Sequence, residues 1–215
     1  MQIQDSVVLV TGANRGIGKA FAKAALERGA RKVYAAARDP ATVDVPGVIP
    51  VRLDVTEPES IAALASECPD VSLLINNAGI ALFGNFLESG SIEATRAQME
   101  TNFYGPLRMT QAFAPMLAAN GGGAVLNVLS IASWESAPHL AAYSATKSAA
   151  WSLTNALRLE LKAQGTQVMG LHVGFVDTDL TRDIAAPKSD PSDVVAIAFD
   201  GLESGAEEVL ADAFT

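Results

Sequence analysis

The feature of this sequence that most restricts its fold is a regular alternation of short apolar runs with longer amphipathic stretches. The runs predict strands at Val7–Val10, Val33–Ala36, Val48–Leu53, Ser72–Ile75, Ala124–Leu129, Gln167–Val173 and Glu208–Leu210. Short strands that are apolar throughout and separated by helices are buried on both faces and pair in parallel. We therefore predict an α/β fold, a Rossmann-type doubly wound parallel sheet flanked by helices on both faces.

The stretches between the runs carry apolar residues at helical spacing. They predict helices at Ile17–Arg28, about Pro58–Glu67, Ile92–Ala119, around residues 144–162, and Pro191–Ser204. The length of 215 residues gives room for one sizeable core. We therefore expect residues 1–215 to form a single domain.

Composition excludes several classes of function. The net charge of −9 argues against a general nucleic-acid surface, and no apolar run approaches the ~18 residues of a membrane span. The N-terminus lacks a basic region followed by an apolar core, so we predict no secretory signal. Cys68 is the only cysteine, and His139 and His172 are too scattered to suggest a metal site. A soluble cytoplasmic protein without metal, nucleic-acid or membrane partners fits best.

A glycine-rich turn, Thr11–Gly18, lies between the first predicted strand and the first helix. Such a turn brings backbone N–H groups and the positive end of a helix to a diphosphate, which side chains would keep away. The glycines are spaced G-x3-G-x-G, unlike the commoner G-x-G-x-x-G fingerprint. The turn predicts a dinucleotide site; glycines needed only for the turn geometry are the alternative.

The end of the second strand bears on the choice of cofactor. A dinucleotide site places an acid near this point to bind a ribose 2′-hydroxyl, or an arginine to bind a 2′-phosphate. Here the strand ends in Ala37 and Arg38, and Arg15 adds a second cation in the glycine turn. Asp39, one step further, acts against this reading. We predict that NADP(H) is favoured over NAD(H).

The stretch Ser130–Lys147 holds the candidate catalytic residues. Tyr143 and Lys147 stand four apart, so on a helix they share one face. An ammonium within ~4–6 Å of a phenol favours the phenolate, and we expect Lys147 to lower the pKa of Tyr143. Ser130 ends a predicted strand, where open parallel sheets place their sites. Alone, each of these residues is more simply explained by packing or exposure at the surface.

Taken together, these motifs resemble those of the short-chain dehydrogenase/reductase family, in the family's order and over essentially the whole chain. The matching residues are Thr11, Gly12, Gly16, Gly18, Asp54, Asn76–Gly79, Asn102, Ser130, Tyr143 and Lys147. The resemblance implies a cofactor site made of Gly12, Asn14, Arg15, Gly16, Ile17, Gly18, Arg38, Asp54, Val55, Asn77, Ala78, Gly79, Tyr143, Lys147, Gly174, Val176 and Thr178.

The sequence departs from the family pattern in two places. After the sixth strand the family usually has Pro-Gly, whereas this chain has Val173 and Gly174, which should loosen the turn because proline fixes φ. The stretch between Thr178 and Pro191 is short for a loop that covers a substrate. Relatives usually continue past the last strand, which leaves open whether a tail beyond Thr215 is missing.

The resemblance also implies a mechanism. Tyr143 would donate a proton to a carbonyl oxygen as hydride arrives from the nicotinamide, and Ser130 would hydrogen-bond the same oxygen. Lys147 would hold the nicotinamide ribose and depress the pKa of Tyr143. Asn102 would hold a water that links Lys147 to solvent; a helix-kink residue tied to the backbone is its alternative role.

The substrate is less constrained. Candidate pocket residues are Leu82, Phe83, Trp134, His139 and Phe175. They suggest an apolar pocket with no cation for a carboxylate or a phosphopantetheine. We therefore favour a carbonyl reductase of small aldehydes or ketones over a 3-oxoacyl-carrier-protein reductase. An NADP(H)-binding regulator without turnover is a further alternative, although such proteins commonly lose the tyrosine or the lysine.

Two helices carry more apolar and small residues than one buried face needs. In the family, the helices that correspond to residues 92–119 and 144–162 pair with their symmetry mates in a four-helix interface. Candidate contacts are Phe113, Met116, Trp151 and Leu159. We expect a homodimer or homotetramer.

Overall fold

All seven apolar runs form strands in the computed structural model, which describes residues 1–212. They are β1 (Val7–Thr11), β2 (Lys32–Ala37), β3 (Ile49–Arg52), β4 (Leu73–Asn76), β5 (Ala124–Val128), β6 (Gln167–His172) and β7 (Glu208–Leu210). They pair in parallel in the order β3-β2-β1-β4-β5-β6-β7. The chain winds outward from β1 to β3 and then returns to β4 on the other side of β1, which confirms the doubly wound sheet.

Helices cover both faces of the sheet. They are α1 (Gly16–Glu27), α2 (Pro58–Glu67), α3 (Ser91–Met99), α4 (Gly105–Ala119), α5 (Ala141–Glu160) and α6 (Pro191–Glu203). On one face α1 and α6 meet through Phe21 and Phe199, whose rings lie 5.3 Å apart. On the other face α2, α4 and α5 bury Leu64, Phe113 and Leu157. Among residues 1–212, no helix has both the length and the apolar character that crossing a bilayer requires.

The predicted long helix at Ile92–Ala119 is continuous but not uniform. A π-helical turn, Glu100–Tyr104, separates α3 from α4, and the Gly105 N–H bonds to the carbonyl of Glu100, five residues back. Pro106 follows, and because it has no N–H it cannot donate to the carbonyl of Asn102 as an α-helix would require. The π turn places Asn102 at a break in the regular ladder, a feature often found at functional sites.

The expectation that every strand is buried on both faces is wrong for the two edge strands: Leu210 of β7 is exposed, and so is most of β3. This strand lies at the edge of the sheet, and the side chain of Ile49 is exposed. Pro50 is tolerated there because an edge strand needs no donor on its outer side. Within β3 only Val51 is buried, so an apolar run here does not mean burial on both faces.

The structure also corrects one predicted interface residue. Phe113 is fully buried in the core between the sheet and α4, so it cannot contact a second subunit. Met116 and Trp151 are partly buried, and Leu159 on α5 is 76% exposed. Among the four candidates, Leu159 is the residue that projects furthest into solvent.

Candidate functional site

The site lies at the switch point of the sheet, where the carboxyl ends of β1 and β4 diverge, as ligand sites in open α/β sheets do. Thr11 joins the two ends: its hydroxyl accepts hydrogen bonds from the N–H groups of Asn77 and Ala78, both at 3.0 Å. The Asn77 amide donates in turn to the carbonyls of Thr11 and Gly12, at 2.9 and 3.2 Å. The side chain of Asn77 therefore braces the glycine turn.

The glycines of the turn are required by its geometry. Gly12 and Gly16 have φ values of 66° and 53°, the left-handed region that favours glycine. A Cβ at Gly18 would lie 2.2 Å from the carbonyl oxygen of Gly12. Glycine at 18 allows α1 to begin directly against the end of β1, so that the helix N-terminus faces the crevice, with Asn14 and Ile17 half-buried beside it.

Replacing Gly18 by alanine should therefore destabilise the fold and impair cofactor binding together. We expect a loss of unfolding free energy at the upper end of the ~1–3 kcal/mol typical of overpacking, because the obstacle is a main-chain oxygen. Gly201→Ala is the matched control: it is also helical, but its Cβ would meet a methyl group of Val209, which can rotate. Chemical denaturation and NADPH titration measure both effects, and equal behaviour of the two variants would contradict this reading of the turn.

A loop after β6 covers the glycine turn from the other side. Val176 pairs with Ser189, and the Asp177 N–H donates to the carbonyl of Ser189 at 2.9 Å, which closes the loop at its base. A cavity of about 340 Å³ lies between loop and turn, lined by Gly16, Asp177, Thr178, Asp179, Arg182 and Lys188. The short stretch between Thr178 and Pro191 is thus an ordered, charged flap over the candidate diphosphate site.

The predicted 2′-phosphate residues have different environments. The Nη1 of Arg15 lies 3.3 Å from Asp179 in an exposed ion pair with the flap. Arg38 is exposed at the end of β2. Burial acts to raise the pKa of the Asp54 carboxyl, but hydrogen bonds from Thr56, aided by the charge of Arg38, lower it. Arg38 thus lies on the Asp54 side of the crevice, whereas Arg15 faces the flap.

Two neighbouring predictions concern Asp39 and Val55. The carboxylate of Asp39 accepts from the Ala41 N–H at 3.1 Å and caps the short turn Pro40–Thr42. Its position next to Arg38 is therefore explained by local structure. Val55 is buried, and its side chain packs against Gly105 at the start of α4.

Ser130 follows β5 directly, at the same edge of the sheet. Its hydroxyl donates to the carbonyl of Val173 at 3.2 Å and accepts from the Ala132 N–H at 3.2 Å. The Tyr143 phenol lies close enough to this hydroxyl for Ser130 to act on the Tyr143 pKa, which it lowers. Ser130 and Tyr143 are therefore neighbours, as the prediction that both bind one substrate oxygen requires.

Lys147 lies one turn beyond Tyr143 on α5. Its Nζ is 5.7 Å from the centre of the Tyr143 ring and donates to the carbonyl of Val128 at 2.8 Å. Burial raises the pKa of Tyr143 to about 12 and lowers the pKa of Lys147 to about 8. The expectation that the Tyr143 pKa is lowered is therefore not met in this arrangement: burial is the main cause of the raised pKa, and the neighbouring Ser130 hydroxyl only partly offsets it.

Asn102 occupies the second of its predicted environments, that of a residue at the helix break that is tied to the backbone. Its amide donates to the Ile80 carbonyl at 2.9 Å and to the Thr146 hydroxyl at 3.0 Å, and its Oδ1 accepts from the Ile80 N–H at 2.9 Å. Both donors are thus used to tie the π turn to α5 and to the segment after β4. One lone pair of Oδ1 remains, on the side of Gly79.

The absence of a side chain at Gly79 keeps the space beside Lys147 open. A Cβ there would lie 3.3 Å from Oδ1 of Asn102 and 4.0 Å from Nζ of Lys147. The Lys147 Nζ and the amide oxygen of Asn102 therefore border the position of Gly79, which follows the segment that Thr11 ties to the end of β1. The glycine turn, whose space a Cβ would fill, fits a dinucleotide bound in the crevice.

The five predicted substrate residues are all exposed, and none of them lines the cavity at the flap. Leu82 and Phe83 lie on the segment after β4, which is joined to the loop before α5 by the Gly84 N–H and the His139 carbonyl at 2.8 Å. His139 contacts Asn85, and Phe175 borders the flap. Trp134 stacks on His172 with ring centres 3.9 Å apart. The result is an open apolar rim rather than an enclosed pocket.

One buried arrangement has no counterpart in the sequence predictions. The ring of His172, in β6, lies between Glu208 of β7 and the carbonyl of Ser130. Because Glu208 is 36 residues from His172 in the chain, no local sequence pattern predicts that the two residues pair. The only sequence signal is that successive side chains of a strand point to opposite faces of the sheet, which could have indicated that His172 of β6 points toward α5.

Comparison with known proteins gives consistent results. A family model described as short chain dehydrogenase matches residues 6–189. The crystal structure of a short chain dehydrogenase from Burkholderia cenocepacia in complex with NADP has a TM-score of 0.95 and 42% identity, covering 100% of this chain and 91% of that one.

Two further proteins show the range of relatives. A short chain dehydrogenase/reductase from Burkholderia phymatum in complex with NAD has a TM-score of 0.89 and 26% identity, covering 98% of this chain and 90% of that one. The 3-oxoacyl-acyl-carrier-protein reductase FabG of Vibrio cholerae is 32% identical over 191 residues, which are 85% of this chain and 78% of that protein. Proteins with this fold and similar sequences thus differ in the cofactor with which they were crystallised.

Proposed function

The chain belongs to the short-chain dehydrogenase family and is an oxidoreductase, and from this premise we propose that it interconverts a carbonyl compound and an alcohol with NADP(H). The contact of the Ser130 hydroxyl with the Tyr143 phenol, beside the buried ammonium of Lys147, carries this proposal. A carbonyl oxygen that replaces the Val173 carbonyl as partner of Ser130 would also be within reach of the phenol. Two hydroxyl donors would then stabilise the charge that develops on that oxygen.

Tyr143 is the proposed general acid. Since its pKa is raised to about 12, the phenol carries its proton throughout the neutral range and is ready to donate in the direction of reduction. The nicotinamide cofactor would supply the hydride. Lys147 would hold the ribose hydroxyls, and the free lone pair of Asn102 Oδ1 would hold a water beside Lys147, which gives the proton a route from solvent.

The cofactor would lie along the crevice at the switch point. The turn Gly12–Gly18 and the N-terminus of α1 would hold the diphosphate. Asp54 and Val55 would border the adenine, and the backbone from Gly174 to Thr178 would border the nicotinamide. The NADP complex of the Burkholderia cenocepacia protein supports NADP(H), whereas the NAD complex of the Burkholderia phymatum protein makes this support modest.

The substrate proposed is a small apolar aldehyde or ketone. The rim of Leu82, Phe83 and Phe175 is apolar and exposed, which favours such compounds. The similarity to FabG supports the alternative of a 3-oxoacyl thioester. A cofactor-binding regulator is disfavoured because Ser130, Tyr143 and Lys147 are all present.

The test is a panel of aldehydes, ketones and a 3-oxoacyl thioester, assayed for oxidation of NADPH and of NADH in parallel. We expect reduction of several apolar ketones or aldehydes. Activity confined to the thioester would favour the acyl-carrier-protein reductase, and tight NADPH binding with no oxidation of any compound would favour the regulator.

We also propose that the protein forms at least a C2 dimer through α5. The outward face of this helix is a stripe of small residues that ends in a leucine: Ala145, Ser148, Ser152, Ala156 and Leu159. Small side chains let a second helix approach closely, and Leu159 is 76% exposed in the isolated chain. Burying it against a partner would stabilise the contact by up to about 2 kcal/mol on each side.

We expect a dimer or larger assembly at micromolar concentration by light scattering, and monomers for Leu159→Lys. Leu87→Lys is the matched control, because Leu87 is fully exposed on a loop outside α5. A monomeric wild type, or equal effects of the two substitutions, would show that α5 is not the interface.

A further inference from the structure

His172 is a fully buried histidine that lies between the edge strand β7 and the residue after β5. Its Nε2 is 2.5 Å from Oε2 of Glu208, and its Nδ1 is 3.3 Å from the carbonyl oxygen of Ser130. The Trp134 ring stacks on the imidazole with ring centres 3.9 Å apart and an angle of 23° between the planes. The ring is therefore fixed on both edges and on one face.

Both neighbours of the ring are hydrogen-bond acceptors. A carbonyl cannot donate, so the bond to Ser130 requires a hydrogen on Nδ1 of His172. On the other edge of the ring, Glu208 also accepts from Arg158 at 2.9 Å and from the Trp151 indole at 3.3 Å. Burial acts to raise the pKa of Glu208, but hydrogen bonds from His172 and Arg158 lower it and keep the carboxylate ionised.

The carbonyl that receives the Nδ1 hydrogen belongs to the peptide unit that sets the direction of the Ser130 side chain. That unit is held at its other end by the Ile131 N–H, which donates to the Val173 carbonyl at 3.0 Å. The Ser133 N–H supplies the first bond to the Ser130 carbonyl at 2.9 Å. His172 supplies the second and fills both lone pairs of the oxygen.

We propose that His172, held by Glu208, is a positioning residue for Ser130: it fixes the Ser130–Ile131 peptide unit and so aims the Ser130 hydroxyl at the substrate oxygen and at Tyr143. The inference rests on the proposed function, in which Ser130 binds the carbonyl oxygen. The residue touches neither substrate nor cofactor. It acts through the backbone of Ser130, and the stacked Trp134 ties the next turn of the chain to the same ring.

Two substitutions of similar shape distinguish the contact of Nδ1 with Ser130 from the contact of Nε2 with Glu208. His172→Asn places an amide nitrogen where Nδ1 lies and keeps the bond to Ser130, whereas His172→Gln reaches Glu208 and loses the bond to Ser130. We expect kcat to fall roughly tenfold in His172→Gln, the factor that corresponds to a hydrogen bond of about 1.4 kcal/mol. His172→Asn should retain most of kcat, and both variants should bind NADPH as the wild type does.

Thermal unfolding of both variants controls for folding. A merely structural role would lower the melting temperature and leave kcat of the folded fraction the same in both. Equal kcat values for His172→Gln and His172→Asn would therefore overturn the proposal, and so would a loss confined to NADPH affinity.

A second measurement does not depend on turnover. The bond to the Ser130 carbonyl requires a hydrogen on Nδ1 of His172, and the other histidine of the chain, His139, is exposed. Protein labelled with an isotope of nitrogen in its histidines should therefore give a slowly exchanging ring N–H signal from the Nδ1 of His172, and this signal should vanish in His172→Asn. Absence of the signal from an active wild type would overturn the role of His172 alone, whereas its presence in a protein that reduces no carbonyl compound would overturn the proposed function and with it this role.

Discussion

Tyr143→Phe should lower kcat for carbonyl reduction by about 10² to 10⁴, the contribution typical of a general acid, while NADPH binding stays close to that of the wild type. The substitution removes one oxygen and keeps the ring that packs beside Lys147. It leaves Ser130 with its bonds to Val173 and Ala132, so the strand end should not rearrange. Steady-state reduction of an active ketone and fluorescence titration with NADPH measure the two quantities.

Tyr104→Phe is the matched control, because it removes the same atom from a half-exposed tyrosine of the π turn and should leave kcat unchanged. Lys147→Ala should differ from both by reducing turnover and NADPH affinity together, since the ammonium is placed to serve both. If Tyr143→Phe kept more than about a tenth of the wild-type kcat, the proton would have to come from another group.

The fold could be predicted because its information is local. Each buried strand is a short apolar run, and each helix shows its face within a few turns, so all seven strands and the helices between them follow from spacing. The exceptions are positions where the environment is set by distant residues. The sequence predicts that Ile49 is buried, but the apolar run at Val48–Leu53 does not show that β3 lies at the edge of the sheet with no strand on its outer side.

The site could be predicted in part for a related reason. Glycines at 12, 16 and 18 are demanded by the turn itself, and the i,i+4 spacing brings Tyr143 and Lys147 together on any helix. The sign of the Tyr143 pKa shift could not be predicted, because spacing gives the distance to the ammonium but not the loss of hydration. Phe113 is a similar case: an apolar side chain can be buried in the core or in an interface, and the sequence does not show which.

The pairing of His172 with Glu208 and Ser130 is the clearest case of what lies beyond the sequence. Three strands and a loop must be assembled before the three groups meet, and each of them is unremarkable in its own segment. The stack of Trp134 on His172 could not be predicted for the same reason, since its partner lies on β6. Polar contacts between residues that are distant in the chain can be identified only once the three-dimensional structure is known.

The choice of cofactor should be reversible at one position. We expect the wild type to prefer NADPH over NADH by roughly one to three orders of magnitude in kcat/KM, since charged hydrogen bonds contribute about 1.5–3 kcal/mol each and ~1.4 kcal/mol corresponds to tenfold. Arg38 is exposed at the end of β2 and is the first candidate to meet a 2′-phosphate. Arg15 must first leave Asp179, so we expect the lower part of that range.

Ala37→Asp should turn this preference toward NADH. A carboxylate there would accept from a free 2′-hydroxyl and repel a 2′-phosphate, whereas Asp39 cannot take this role while it caps the turn after β2. Ala37 is buried, so the substitution adds volume as well as charge in a confined space. Ala37→Asn is the matched control, with the same size and no charge, and it should weaken both cofactors without reversing their order.

The salt dependence of binding distinguishes the electrostatic attraction of the 2′-phosphate from the steric fit of the cofactor. Because screening acts on the extra phosphate, added salt should weaken NADPH binding by the wild type more than NADH binding, and the difference should shrink in Arg38→Ala. Binding of each cofactor by titration at two ionic strengths measures this. Equal kcat/KM for the two cofactors in the wild type would contradict the prediction and would mean that Asp39, one residue beyond Arg38, offsets the two arginines despite its place in the turn.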